Sequence, residues 1–316
     1  MSRGRVICYA PTAARRRHLV PVAAAGGWPL LSVLPADCGD ALAVVCCHGS
    51  EKKAAAAGAA GTILLEHGLG QNYLDDPALT PWGAGRGFCE KRRALVVPGP
   101  YIAVQHAAVS PVPVAAVGSP FLDAWAGRQW IRPGLDPVIA FSTRGDCPRI
   151  PATRRSWPWI KEALPGLARR WRMLGHWHPH EAREGGALPE RLAFYAEHGI
   201  EPVAQFEEVM ERADVYICDN SSSLYEFAAL GKPVVVVSPP WYRRQVHSGL
   251  RFWEALPGVE VRRPEALAET VAAVLADDSD GARLRAKAMP LAWGALDGGA
   301  AARAAAVINS FLHSES

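Results

Sequence analysis

The chain has 316 residues, 49% of them hydrophobic, with 34 Lys and Arg against 31 Asp and Glu and a formal net charge of +3. That length suffices for two domains of ordinary size with sizeable cores, and so small a charge excess excludes the electrostatic footprint of a dedicated nucleic-acid binder. Seven cysteines with no CxxC pair or framework spacing exclude a disulfide scaffold and point to reduced thiols in a cytoplasmic protein.

The first residues, MSRGRVICYAPT, carry no long apolar stretch of the signal-peptide kind, and no run of about 18 apolar residues predicts a membrane span. RVICYA (Arg5–Ala10) predicts the first strand, followed by AVVCCHG (Ala43–Gly49), TILLEHG (Thr62–Gly68), ALVVPG (Ala94–Gly99) and VPVAAVG (Val112–Gly118). After AWAGRQWIRPGLDP, whose Gly and Pro punctuation predicts a domain boundary, come PVIAFST (Pro137–Thr143), RMLGHWH (Arg172–His178), ADVYICD (Ala213–Asp219) and PVVVVS (Pro233–Ser238). These runs are almost continuously apolar rather than alternating, as strands buried on both faces are. Between them lie helix patterns at Lys52–Ala60, Leu188–His198, Ser222–Leu230 and Pro264–Ala276, and a last one at Gly298–Leu312. Strand alternating with helix predicts an α/β fold of parallel sheets. The expected division is residues 1–130, residues 131–297, and a C-terminal helix over 298–316 that returns to the first domain. The long Gly-rich loop Gln71–Arg93 directly follows the His67 strand, and loops of that length are often functional.

Three features carry chemistry. Asp219-Asn220-Ser221-Ser222-Ser223 stands where an apolar strand gives way to a helix that runs to Gly231. Hydroxyls and free backbone N–H groups at such a start suit a phosphate, and Glu226, one turn on, suits ribose hydroxyls. Plain helix capping is the bland alternative, although one Ser would suffice for it. GHWHPH places His176, His178 and His180 in alternation, so on an extended chain they share one face. No Cys or carboxylate nearby completes a metal set, so no metal site is expected, and a His at a strand end aimed at a phosphate fits better. LLEHGLGQ ends a strand in His67 and Gly68. Two such strand-end histidines, one per predicted domain, are expected to face each other.

The segment ADVYICDNSSSLYEFAALGKPVVVV resembles the corresponding segment of the CDP-glycerol glycerophosphotransferases of teichoic-acid synthesis, within the GT-B superfamily. That family shows, in order, a strand ending in His-Gly, Gly-x-Pro-Arg-x-Asp, His-Pro after a strand, and Asp-x-Ser-Ser followed by an acidic helix position. Here these are His67-Gly68, then Gly118, Pro120 and Asp123, then His178-Pro179, then Asp219-Asn220-Ser221-Ser222 with Glu226. The resemblance implies two doubly wound Rossmann-like domains facing across a cleft. It implies His67 as base on the acceptor hydroxyl and His178 as a phosphate-side group. It also implies Asn220, Ser221, Ser222, Ser223 and Glu226 as the donor site, with Gly68, Gly118, Pro120, Asp123 and Asp219 supporting. Imidazole suits both roles near neutrality.

The chain departs from the family at two places: LGQNY follows His67-Gly68 without the family's Lys, and Phe121 stands where the motif has Arg. A nucleotide-sugar donor on the same fold is therefore as compatible as a glycerophosphate donor. The expected activity is transfer of a glycosyl or glycerophosphoryl group from a nucleotide-diphosphate donor to an acceptor hydroxyl on a polyol phosphate, a glycan or a modified nucleic-acid base. No cofactor beyond the donor is expected. The alternatives are a non-catalytic nucleotide or sugar-phosphate binding protein and a UDP-sugar epimerase-like enzyme, although epimerases carry more acidic residues around this junction. Arg15–Arg17, Arg154–Arg155 and Arg243–Arg244 are candidate linings for an anionic acceptor, and Glu66 and Asp75 are the next candidates for the base.

Overall fold

The computed structural model describes residues 5–69, 89–128, 130, 134–143, 156–182, 186–219, 221–241 and 255–312. Most of the Gln71–Arg93 loop with Asp75, together with Cys147, Asn220, Arg154–Arg155 and Arg243–Arg244, lies outside them. The described residues gather into two units, dividing between Gly127 and Arg128 and again between Met289 and Pro290, with the C-terminal stretch counted in the first unit.

In the first unit the chain runs β1 (Val6–Tyr9), α1 (Ala13–Gly26), β2 (Leu30–Leu31), β3 (Leu42–Val45), α2 (His48–Ala56), β4 (Gly61–Leu65), β5 (Arg92–Val97), α3 (Pro100–Ala107) and β6 (Val114–Ala116). The strands form one parallel sheet in the order β2-β1-β3-β4-β5-β6. The second unit runs β7 (Val138–Ser142), α4 (Trp157–Lys161), α5 (Leu164–Ala168), β8 (Arg172–His176), α6 (Leu188–His198), β9 (Glu201–Val203), α7 (Phe206–Arg212), β10 (Val215–Cys218), α8 (Ser222–Ala228), β11 (Val234–Val237), β12 (Val259–Val261) and α9 (Leu267–Ala276). Its parallel order is β12-β11-β10-β7-β8-β9. In each sheet the first strand in sequence lies inside the order, because the chain winds to one side and then to the other. The switch points are β1/β3 and β7/β10, and at such points the carboxyl ends of two strands splay apart to admit ligands.

All nine strands expected from apolar runs are present. The three that the pattern does not show, β2, β9 and β12, are short and each closes an edge of its sheet. An edge strand is covered less completely, so its sequence needs no continuous apolar run; Leu30 and Leu31 are only half-buried. The helix α1 is also invisible to the apolar pattern, since Arg15–Arg17 and Pro21 interrupt it. Its buried stripe, His18, Leu19, Val22 and Ala23, nevertheless keeps helical spacing. Leu19 and Val22 join the core formed by β1, β3, β4 and β5, to which the last helix contributes Ala304 and Ile308.

That last helix returns by way of α10 (Ser279–Trp293) and α11 (Ala300–Ser310). Pro290 lies inside α10 next to the division between the units. The Gly118-Ser119-Pro120-Phe121-Leu122-Asp123 stretch is its dock. Gly118 has φ +90, and a Cβ there would stand 3.0 Å from the Ala300 methyl, so both conformation and space demand glycine. Pro120 opens a 3-10 turn, Pro120–Trp125, that carries Asp123. The Asp123 carboxylate accepts the backbone N–H groups of Ala300 (3.0 Å) and Ala301 (2.7 Å), the unsatisfied donors at the start of α11. Arg303 Nε donates to the Val117 carbonyl at 2.9 Å and secures the next turn.

Capping of this kind contributes about 1–2 kcal/mol. In the Asp123→Ala variant, amide hydrogen exchange across α11 is expected to report an opening free energy lower by about that amount. Unchanged protection would show that the dock holds without its carboxylate.

Candidate functional site

The serine run lies at the β7/β10 switch point. Cys218, the last residue of β10, pairs with Ser142, the last of β7. Asp219 is fully buried and accepts the Ser156 hydroxyl at 2.5 Å, while its backbone carbonyl accepts the Ser221 N–H at 2.8 Å. Asp219 thus shapes the turn at the start of the serine run. Ser221 is the N-cap residue of α8 with extended backbone, yet its side chain makes no cap hydrogen bond. The bland capping alternative therefore does not describe it. Instead the Ser223 hydroxyl donates to Ser221 Oγ at 3.0 Å and lies 3.0 Å from the Tyr216 hydroxyl, so the buried Tyr216 anchors the cluster from below. Ser221, Ser222 and Ser223 are half-buried. Glu226 is 1% exposed and engaged within the protein. Asn220 lies outside the described residues.

The histidine alternation ends early. β8 stops at His176, which is buried against Phe206 and lies 3.2 Å from Ser142 Oγ through Nδ1. The chain then turns into a 3-10 segment, Pro179–Ala182, so His176 and His178 share no strand face. His178 is half-buried, and its carbonyl accepts the Glu181 N–H at 2.8 Å. The side chain of His180 is outside the description. Among the described residues no group of three His, Cys, Asp or Glu side chains is placed to hold a metal ion.

In the first unit His67 and Gly68 follow β4, beside the β1/β3 switch point, and both are half-buried. Burial lowers the His67 pKa first; a hydrogen bond to the Cys46 backbone opposes it, and the charges of Arg17 and Arg15 lower it further, to about 4. The ring is thus neutral through the physiological range, and Nδ1 is buried with no hydrogen-bond partner. A neutral imidazole is what a general base requires. The neighbouring Glu66 is committed elsewhere: it is buried, and one carboxylate oxygen meets His106 Nε2 at 2.9 Å.

One residue beside His67, His18, escapes sequence reasoning, and so does the contact that Arg17 makes with it. The His18 ring lies 5.1 Å from the His67 ring and 5.4 Å from Phe121. Arg17 Nε donates to His18 Nε2 at 3.1 Å, and its guanidinium covers the Phe121 ring at 4.5 Å. The motif position that holds Phe121 instead of Arg is therefore covered by a guanidinium from α1. Burial, then the charges of His67 and Arg17, keep His18 well below the usual imidazole range. Nothing in the spacing of Arg17 against Phe121 signals this contact. Of the other two members of the arginine triplet, Arg15 reaches Ser50 Oγ at 3.4 Å and Arg16 reaches Ser32 Oγ at 2.9 Å.

Residues 176–310 match the family model of CDP-glycerol:poly(glycerophosphate) glycerophosphotransferase, a span that holds His178 and the serine run. Over its whole length the chain is similar to the wall teichoic acid polymerase TagF, at 13% identity and a TM-score of 0.61, covering 89% of that chain. A S. aureus MnaA–UDP co-structure superposes on 98% of the chain and 96% of its own, at 13% identity and a TM-score of 0.65. A UDP-N-acetylglucosamine 2-epimerase covers the whole chain at 13% identity and a TM-score of 0.56, with 97% of its own length matched. No curated protein matches the chain by sequence. At this identity the likenesses establish the fold: α/β, of the GT-B type, with two Rossmann-like parallel-sheet units in one chain.

The environment of His67 makes a direct expectation. In ¹⁵N-histidine-labelled protein its ring should stay neutral on acidification until about pH 4. Titration near 6.5, the ordinary imidazole value, would mean that the ring is open to water.

Proposed function

We propose that the protein is a transferase acting on a nucleotide-diphosphate donor and moving a glycerophosphoryl or glycosyl group to an acceptor hydroxyl. The observation that carries this reading is that residues 176–310, with His178 and Ser221–Ser223, match the glycerophosphotransferase model while the serines stand at a switch point, where the Ser221 side chain makes no helix cap. The TagF likeness over the whole chain supports the same fold context.

The donor diphosphate would be held in the second unit. Hydroxyls of Ser221 and Ser222, with the backbone N–H groups behind them, donate to phosphate oxygens, and His178 meets the phosphate side. As the bond to the leaving nucleotide breaks, a diphosphate in glycosyl transfer and a monophosphate in glycerophosphoryl transfer, negative charge grows on its phosphate oxygens, and fixed donors stabilise that charge without reorganising. In the first unit His67 Nδ1 takes the acceptor hydroxyl proton. The neutral ring is available at every pH above about 4, so this group imposes no pH dependence on the rate between pH 6 and 8. A weakly basic nitrogen gives the proton up readily once transfer is complete. The acceptor proceeds from hydroxyl to ester or glycoside, and the nucleotide leaves with the bonding electron pair. Arg17, lying on Phe121, supplies positive charge beside His67 where the motif has lost its own Arg.

The reading is tested in two steps. CDP, UDP, GDP and ADP are screened by thermal shift, since a ligand of the native state raises its apparent stability. The best binder is then titrated by calorimetry into the Ser221→Ala, Ser222→Ala double variant. Each lost hydrogen bond to charged phosphate should cost about 1.5–3 kcal/mol, and unchanged affinity would sink the serine site. Transfer by His67→Ala should fall about 10²–10⁴-fold with donor affinity kept. Near-normal transfer by His67→Gln, which cannot take a proton, would assign the base elsewhere.

A further inference from the structure

In the second unit several buried polar side chains that the proposed reaction does not use form a track. It begins at Asp219, at the end of β10, which holds the Ser156 hydroxyl. Ser156 immediately precedes Trp157, the first residue of α4, and both are buried. The guanidinium of Arg191, from α6, lies on the Trp157 ring at 4.3 Å. Arg191 is 0% exposed. Its Nη2 donates to Thr143 Oγ1 at the end of β7 (2.7 Å) and to Glu181 Oε1 (2.8 Å), while Nε faces the other Glu181 oxygen. Glu181 closes the track, because its N–H holds the carbonyl of His178.

We infer that Arg191 and Glu181 are positioning residues that hold the turn bearing His178 in fixed register with the strand end bearing Asp219 and the serines. A planar guanidinium that must satisfy a carboxylate, a hydroxyl and an aromatic face together has one orientation, and it transmits that orientation to each partner. The Ser142–His176 contact also joins the ends of β7 and β8, but it engages His176 rather than His178. Stability alone does not account for such a pair, since burying two charges costs about as much as their attraction returns, and apolar replacements of similar volume are often neutral or stabilising. What the pair adds is a direction for the turn. What His178 then does there rests on the donor-site reading above; the register itself does not.

The test separates position from stability. The double variant Arg191→Met, Glu181→Leu removes the charges together and leaves none orphaned. We expect it to keep its thermal midpoint within a few degrees, while the ¹⁵N resonances of the His178 ring, assigned with His178→Gln, move away from their wild-type values. Hydrolysis of CDP-glycerol should fall about 10²-fold, the loss typical of a group misplaced by about 1 Å. A double variant with wild-type stability, wild-type His178 resonances and wild-type hydrolysis overturns the inference. If that variant does not fold, Arg191→Lys keeps the charge without the fork, and it must show the same shift of the His178 resonances or the inference fails. Should the wild type bind and hydrolyse no nucleotide-diphosphate compound, the functional reading falls, and the resonances alone still decide the positioning role.

Discussion

Strands buried on both faces have little room for polar side chains along their length, so the chemistry of this protein collects where its strands end. Every residue of β4, β10 and β11 is buried. His67, Thr143, His178 and Asp219 all stand within two residues of a strand's carboxyl end. There the sheet no longer covers the chain, and the backbone turns away with hydroxyls, imidazoles and N–H groups facing neighbours other than strands. The direction of the strands thus decides which edge of each sheet is functional, and the winding order decides where along that edge.

The same burial makes the charges that do enter the interior exacting. Glu51 is fully buried at the start of α2; burial alone would raise its pKa, but Arg92, His48 and Thr62 hold it down to about 2. Arg92 Nε and Nη2 grip its two oxygens at 2.8 and 2.6 Å, and Thr62 adds 3.0 Å from β4. That carboxylate ties α2 to β4 and β5, just as Arg191 and Glu181 tie α6 to the ends of β7 and β8. In both units a buried ion pair links a helix to strands or to the ends of strands. The six described cysteines are free; Cys47 is only half-buried, and its sulfur accepts the Ser50 N–H at the start of α2.

His67 shows how the surroundings of a residue decide its chemistry. A histidine at a strand end can serve as a base, as a phosphate donor or as a satisfied core group. Here burial, Arg17 and Arg15 favour the neutral ring, against a hydrogen bond to the Cys46 backbone that favours the charged one. The second histidine, His18, is neutral for the same reason and serves as acceptor for Arg17. Arg17 therefore acts on two rings and on Phe121 at once, which an isolated basic triplet on a surface would not do. No described helix is long and apolar enough to cross a membrane.

The interior strands, the serine run after β10 and the strand-end histidines were legible because each is a local pattern: continuous apolar residues followed by an abrupt polar turn. The short edge strands β2, β9 and β12 were not, since partial cover relaxes the very pattern by which strands are recognised. The sequence also displays Gly118, Pro120 and Asp123 as a motif, but not that Asp123 caps a helix beginning at Ala300. It displays Phe121 as a departure, but not that Arg17 covers it. It does not display Arg191 as anything but a helix residue. These facts belong to tertiary structure because the partners are tens to hundreds of positions apart, and only closure of the two cores brings them within reach of a hydrogen bond. Local composition determines which segments must be buried; which polar groups then meet is decided by how the buried segments pack.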